Sequence, residues 1–563
     1  MNEQRNFFIL FFIVFITFWG YEYFFPQPAP IENAAPPVVQ EAAPEPRVHE
    51  DVIVVPKDVA LRDGTRISID TPSFSGSVNL QGARMDDIVL KKYKESVDAR
   101  SPNVDLLNPE NTEAPFFAEF TWEAVQGAGV PVITLPSATT LWSADHMLLT
   151  PDQPVKLTWK NPEGIIFERH ISVDQEQMFT VTDIIRNTKM NALQAIPRGR
   201  IVRIGDMSEA DSKILHEGIV GYVAGKLQEI NYSDMDAAGG FNFNSDGGWL
   251  GITDKYWMAA LAVSGQPSIT AKAHMLTTPR KTYITELAGS ALTIDSGTEG
   301  RFTYQLIAGA KIVNMLDRYE KDYQIANLDL AVDFGWLYFL TKPMYHVLTF
   351  LKNIIGNFAL AILALTVLVK LFMFPLVRKS STSMSGMKKL QPEMERIKAL
   401  YSDDATKRNQ AIMELYKQHK INPAGGCLPL VIQMPVFFAL YKVLYISIEM
   451  RHTPFWGWIK DMSAPDPTTL FNLFGVIPWD PPSFLMIGVW PIIMGFTMWL
   501  QQRLTPQPAA DPTMRKMMAF LPIFLTYIMS AFPAGLVIYW SWSNILTIIQ
   551  QLVLGRTSTQ KAQ

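Results

Sequence analysis

Two hydropathy patterns divide the chain. From residue 57 to about 310, short stretches alternate apolar and polar residues, as in RISIDT, VKLTWK, IIFERHISV and MFTVTDIIRN, with Gly, Pro, Asn and Asp between them. Alternation with period two puts every other side chain on one face of a strand. Many such runs without helical periods between them predict an all-β sandwich. From 333 onward long apolar runs take over. About 20 apolar residues suffice for a helix to cross a bilayer core, and spans are expected at about 357–377, 426–447, 484–502, 516–531 and 534–554.

The N-terminal run from Phe7 to Phe25 is broken only by Thr17, Gly20 and Glu22, and it ends in Trp19, Tyr21, Tyr23, Phe24 and Phe25. Such an aromatic ending suits an uncleaved anchor helix over 1–25. The alternative is a secretory signal cut near Ala34 and Ala35. The fold class expected is therefore a polytopic α-helical membrane protein with six transmembrane helices, five of them forming a C-terminal core, plus an all-β sandwich. Residues 26–56 are rich in Pro, Ala, Glu and Val and predict an extended spacer. AGAKIVNMLDRYEKDY predicts a helix that closes a β domain over 57–332. The segment 333–356 is apolar but interrupted by Lys342, Pro343, His346 and Lys352. It suits a helix lying in the interface plane, or one packed on the β domain.

Charge orients these elements. The net charge of −4 gives no reason to expect sequence-specific nucleic-acid binding. Lys379, Lys388, Lys389, Arg396, Lys398, Lys407, Arg408, Lys417 and Lys420 crowd the segment after the first C-terminal span, and Arg503, Arg515, Arg556 and Lys561 mark the alternate segments. The loop 448–483 holds only Arg451 and Lys460. The positive-inside rule then places 378–425, 503–515, the 556–563 tail and the N-terminus in the cytoplasm, and the β domain outside. The one cysteine, Cys427, allows no intrachain disulfide.

Within the basic segment, Met387, Leu390, Met394, Ile397 and Tyr401 recur at 3–4 spacing, the seam of a coiled-coil helix. SDDATK interrupts it, with Asp403 or Asp404 as N-cap, before Ile412, Leu415, Tyr416 and His419 on a second helix. A helical hairpin over 379–420 is expected. Met384, Met387, Met394 and Met413 give it adaptable apolar faces, suited to capturing varied partners or simply to holding the hairpin together.

Candidate chemistry is sparse in the β domain. GYVAGKL (221–227) has the wrong spacing for a phosphate loop and lacks Ser or Thr after Lys226. His146, His170, His216 and His274 are scattered without metal-ligand spacing. No paired acids and no nucleophile with a base stand out, so neither an enzyme nor a cofactor or metal is expected. The informative residue is Lys370, inside LTVLVKLFMFPLVRKSS. A lysine at mid-span costs roughly 2.5–3.5 kcal/mol. The five C-terminal spans contain no carboxylate, and Glu449 lies at an outer end. They do contain Thr366, Gln433, Thr526, Tyr527, Tyr539, Ser541, Ser543, Asn544, Gln550 and Gln551. Lys370 is expected to face a water-containing cavity lined by such groups. Pro375 frees the carbonyl of Leu371 toward it. Snorkelling toward the level of Arg378, about 12 Å away, is the alternative. One fixed cation without a counter-ion suits transient capture of an acidic segment of a nascent membrane protein. A secondary transporter with an outer binding domain is the rival class, though paired broken helices in inverted repeats are not apparent.

Three stretches carry a resemblance: INPAGGCLPLVIQMPVFFALYKVL (421–444), FPAGLVIYWSWSNILTIIQQ (532–551) and GGWLGITDKYWMAAL (247–261). They resemble the signatures of the bacterial YidC/Oxa/Alb family of membrane-protein insertases. The resemblance implies a hydrophilic groove open to cytoplasm and lipid and closed toward the outside, within a five-helix insertase core. It also implies the periplasmic β domain of Gram-negative members, an inner-membrane location and a folding-chaperone role. Implied partners are nascent membrane proteins, the Sec translocon with its accessory subunits, the ribosome and membrane lipids. Lys370 falls where many members carry the groove arginine, with Thr366 beside it and Gln433 and Asn544 among the polar lining. Met434, Pro435, Phe437 and Tyr539 match substrate-contacting spans, and Trp540 stands where a second tyrosine is common. Lysine keeps the charge but loses the planar fork that grips a carboxylate.

Overall fold

The computed structural model describes residues 54–560 apart from 126–132, 208–214, 264, 266–267, 278, 403, 420, 422–427, 480, 483–484 and 505–511. The expected anchor over 1–25, nearly all of the spacer, Asp403, Cys427 and the end of the tail lie outside the described residues.

Period-two stretches become two packed sheets, of eleven and nine strands among the described residues. In the first, Leu193–Ile204 runs antiparallel between Phe116–Ala124 and Thr282–Gly289. In the second, Glu299–Ala310 runs antiparallel between Met178–Arg186 and Trp257–Val263. Alternate residues of Leu193–Ile204 are buried along most of its length, as the pattern dictates. Phe74, Phe167, Phe179, Phe302 and Tyr304 fill the space between the sheets. Gly199 allows close packing there, since a Cβ would lie 2.9 Å from Leu261 Cδ1 and 3.1 Å from Tyr304 Cε1 and would make those side chains shift. The ion pair of Arg169 with Asp183, deeply buried, is bidentate at 2.6 and 2.8 Å, and Arg169 donates also to the Phe120 carbonyl at 2.8 Å. Each charge therefore enters the core against its counter-ion, with a backbone carbonyl taking a further guanidinium donor.

The helix expected from AGAKIVNMLDRYEKDY begins only at α1 (Val313–Asp322), because Glu299–Ala310 completes its strand first. It is followed by α2 (Tyr338–Ile355), which Gly356 ends in the left-handed conformation at φ 78°. Met344, Tyr345 and Leu348 of α2 are buried, while Phe339, Phe350 and Ile354 on the opposite side are exposed. Lys342, one of the interruptions, pairs with Asp317 at 2.9 Å and Asp329 at 2.6 Å.

The chain continues through α3 (Phe358–Lys389), α4 (Gln391–Leu400), α5 (Ala405–Gln418), α6 (Leu428–Ile446), α7 (Val489–Leu504), α8 (Pro512–Met529) and α9 (Ala534–Gln560). Each expected C-terminal span falls on one of these helices. Two are long and apolar enough to cross a membrane among the described residues, Phe358–Lys389 and Ala534–Leu554, while Ile432–Ile446 and Lys516–Met529 are shorter apolar segments. Unlike the expected span, α3 does not stop at 377, because RKSSTSMSGMKK contains no strong helix terminator.

Residues 377–428 belong to a separate compact unit. In it Asp404 caps α5, accepting from Thr406 N at 3.1 Å and Lys407 N at 3.0 Å. The single seam helix expected over 387–401 is broken at Leu390, where Pro392 opens a new helix. Of the seam residues, all but Tyr401 nevertheless stay together: Met387, Leu390, Met394, Leu415 and Tyr416 form one buried cluster, with Met384, Ile397 and Ile412 packed against it. Met413 is 47% exposed.

A polar cluster around Lys370 as the candidate functional site

Three helices meet at Lys370. From α3 its Nζ donates to Gln433 Oε1 of α6 at 3.2 Å and to Thr547 Oγ1 of α9 at 3.0 Å. Thr547 donates its own proton to the Ser543 carbonyl at 2.8 Å, which leaves oxygen lone pairs for the ammonium. Gln433 accepts from Lys370 through its oxygen and donates through Nε2 to Tyr539 OH at 3.1 Å. Gln550 Nε2 donates to the Lys370 carbonyl at 3.3 Å. Among the described residues Lys370 is paired with no carboxylate. Glu449 is engaged elsewhere, accepting from Tyr345 OH at 2.5 Å.

The cation is thus held by direct side-chain contacts to neutral groups, rather than by the whole polar set expected from sequence. Gln433, Tyr539 and Gln550 join it. Thr366, Thr526 and Ser541 do not: their hydroxyls donate to carbonyls four residues back, those of Ile362, Pro522 and Val537 at 2.7–2.8 Å. Thr547 makes the same local bond, so what separates it from these three is its position facing Lys370 rather than the bond itself. Asn544 turns toward α7, donating to Thr497 Oγ1 at 3.2 Å and the Met494 carbonyl at 3.4 Å. Tyr527 is half-exposed. Sequence reasoning missed Thr547. Its signal was present in the spacing of Tyr539, Ser543 and Thr547, four residues apart on one face of α9.

Apolar surface adjoins the cluster. Phe437 stacks on Tyr539 with centroids 6.4 Å apart and packs on Trp540 at 4.7 Å. Trp542 ties α9 to α3 by donating to the Leu363 carbonyl at 3.2 Å. Met434 is 40% exposed, and Pro435 lies within α6 one residue on. Leu371 and Phe372 of α3 are exposed beside Lys370.

The opposite ends of α6 and α9 are packed shut. Met450, Ile459 and Met462 of the intervening loop are buried with Leu444, Ile446, Ala534 and Leu536. The first amides of α9 are satisfied by that loop: Ala534 N donates to the Ala464 carbonyl at 2.7 Å and Gly535 N to the Met462 carbonyl at 3.0 Å. The β domain docks at the same end. Arg451 donates to the carbonyls of Lys94 and Glu95 at 2.5 and 2.9 Å, and Lys255 lies 3.8 Å over the Tyr445 ring. GGWLGITDKYWMAAL is therefore a β-hairpin, Gly248–Thr253 with Trp257–Val263, whose turn touches the helical region.

Comparison with known proteins agrees with this architecture. Residues 66–347 match the family model of the YidC periplasmic domain, and residues 350–561 match that of the 60Kd inner membrane protein. The chain is 45% identical over 522 residues to the "Membrane protein insertase YidC" of Methylorubrum extorquens (strain PA1), covering 90% of this chain and 84% of that one. It is 42% identical over 544 residues to the protein of the same name from Rickettsia felis, covering 96% of each. A similar solved structure, an active YidC insertase with its first transmembrane domain resolved, has 17% identity, covers 87% of this chain and 92% of that one, and gives a TM-score of 0.34. With its β-sandwich and its helical region each matched by a YidC-type model, and with relatives aligned along nearly its whole length, the chain belongs to the YidC family of membrane protein insertases.

Proposed function

We propose that the Lys370 cluster is where a client segment is received, and that the protein inserts and helps fold nascent inner-membrane proteins without catalysis or a cofactor of its own. The observation that carries this reading is a mid-helix ammonium whose side-chain partners, among the described residues, are neutral groups only. A lysine has three N–H donors; two are given to Gln433 and Thr547, both neutral. A partly buried cation held only by neutral groups is stabilised when an acidic or polar client group comes within reach of it. Tyr539, Phe437, Trp540, Pro435 and Met434 supply adjoining apolar surface for the client's hydrophobic stretch, which leaves for lipid past Leu371 and Phe372. Thr366 and Asn544, bonded within the helices, act as packing positions of this groove.

In this reading six helices span the inner membrane, the five C-terminal ones forming the core, with both termini in the cytoplasm and the β domain in the periplasm. The Lys and Arg distribution supports that orientation. The packed outer ends of α6 and α9 favour entry from the cytoplasm, and the methionine-bearing hairpin is the capture element there. Clients come from the ribosome, directly or together with the Sec translocon and its accessory subunits. A photo-crosslinker at position 370 of the full chain in cells should trap nascent membrane proteins. Absence of such adducts at 370, while the same clients are trapped from exposed Phe520, would overturn the assignment.

A further inference from the structure

The segment between α6 and α7 contains thirteen consecutive uncharged residues, 467–479, PTTLFNLFGVIPW. Its side chains are unusually exposed for their apolarity: Val476 78%, Leu473 54%, Leu470 and Trp479 47%, Phe474 46%. A loop bathed in water would have no reason to present them. Three observations say what covers them.

The first is length. Helix α7 has 16 residues, about 24 Å at 1.5 Å per residue, against roughly 30 Å of hydrocarbon. In the orientation proposed above, Arg503 in the last turn of α7 holds that end at the cytoplasmic interface, so the shortfall falls at the outer end, which lies within the outer leaflet with the segment fastened to it. The fastening is tight: buried Asp466 accepts from Trp490 N at 2.9 Å, Thr468 Oγ1 from Val489 N at 3.0 Å, and the Ile487 carbonyl from Leu470 N at 3.0 Å.

The second is backbone satisfaction. Irregular backbone is excluded from lipid unless its polar groups are bonded internally. Here Phe471 N donates to Thr469 Oγ1, Phe474 N to the Thr469 carbonyl, Val476 N to that of Leu473, Ile477 N to that of Asn472 and Trp479 N to that of Ile477. Pro478 has no N–H to satisfy.

The third is conformation. Leu473 and Phe474 both adopt the left-handed region, at φ 50° and 58°, which bulky L-residues rarely visit. That turn closes the internal bonds while directing apolar side chains outward, and it is favourable where those side chains meet acyl chains.

We infer that residues 470–479 form an anchor embedded in the outer leaflet of the bilayer, with lipid as its partner. The test uses the full chain with Cys427→Ser and one labelling cysteine, Val476→Cys or independently Phe474→Cys, carrying an environment-sensitive fluorophore. The protein is reconstituted in phosphatidylethanolamine and phosphatidylglycerol vesicles. The expected result is quenching by a nitroxide on the upper acyl chain and loss of the iodide quenching seen with the label at Met190→Cys, a fully exposed site of the β domain. Iodide quenching equal to that of the Met190 control overturns the inference. So does shielding from both quenchers, which would mean that protein covers the patch.

Discussion

Lys442 Nζ donates to Asp333 Oδ2 at 2.7 Å, tying the C-terminal half of α6 to the segment that leads from the β domain into α2. Asp333 is shared: its other oxygen accepts from Gly335 N at 2.9 Å, and Oδ2 also accepts from His216 N of the β domain at 3.3 Å. Gln433 lies on the same α6 as Lys442, so the helix that contacts Lys370 is held near its C-terminal end by this carboxylate.

Replacing Lys442 by Met should therefore destabilise the full chain. The pair is mostly but not wholly buried, at 15% and 19% side-chain exposure. We expect a loss of about 1–3 kcal/mol, below the range for a fully buried pair. Lys442→Arg should retain most of the stability. Thermal unfolding of the purified proteins in nanodiscs reads this directly, and equal midpoints for wild type and Lys442→Met would show that the pair is not a tie.

At Lys370, Arg should be tolerated because the charge persists. Glu should be worse than Ala, because it repels acidic client segments as well as removing the cation. The deficit should grow along a series of one client with zero, one or two acidic residues in its translocated tail. Thr547→Val, which removes one acceptor and no charge, should give a smaller deficit across the series. Equal insertion by wild type and Lys370→Ala for all three clients would eliminate the charged-groove reading.

The hairpin methionines should separate into two classes. Met394 is 1% exposed and accepts from Tyr416 OH; Met394→Ala should cost the hairpin roughly 2–3 kcal/mol, at the lower end for such truncations. Met413 is exposed, and Met413→Ala should change stability by less than about 0.5 kcal/mol while weakening client crosslinks to the hairpin. Hydrogen exchange over 387–418 in the intact protein distinguishes the two. Equal protection in both variants would contradict the assignment.

Lys311 offers a pH test away from the membrane. It is buried and donates to Thr253 Oγ1 at 2.8 Å. Burial pushes its pKa down from 10.5 to about 8, against the opposing pull of Asp254, Asp333 and Glu217. The unfolded chain then binds more protons than the folded one between these values, so this residue's destabilising contribution, ~3 kcal/mol, is complete below pH 8 and disappears as the pH rises toward 10.5. Denaturant unfolding of wild type and Lys311→Met should show a stability difference that shifts in favour of wild type over that window. A pH-independent difference would rule out the effect.

The alternation of polar and apolar residues determined the β-sandwich, and the apolar runs determined which segments became the C-terminal helices, because burial of one face or of a whole segment is written in local periodicity. The Asp404 cap and the importance of a mid-span lysine were legible for the same reason: each depends on a few neighbouring residues. Which polar groups Lys370 meets was not legible. Thr366, Ser541 and Asn544 looked equivalent to Gln433 in the sequence and Thr547 was not singled out at all; only the rotation of α3, α6 and α9 about their axes decided among them. Thr366, Thr526, Ser541 and Thr547 all donate to a carbonyl one turn back, and of these four only Thr547 lies where its oxygen also meets the ammonium, while the side chain facing α7 went to α7. The tertiary structure also decided that the Asp254–Tyr256 turn of the third signature stretch is a docking contact, and that the loop before α7 bonds its own backbone. Both depend on groups far apart in the chain, whose meeting no local pattern encodes.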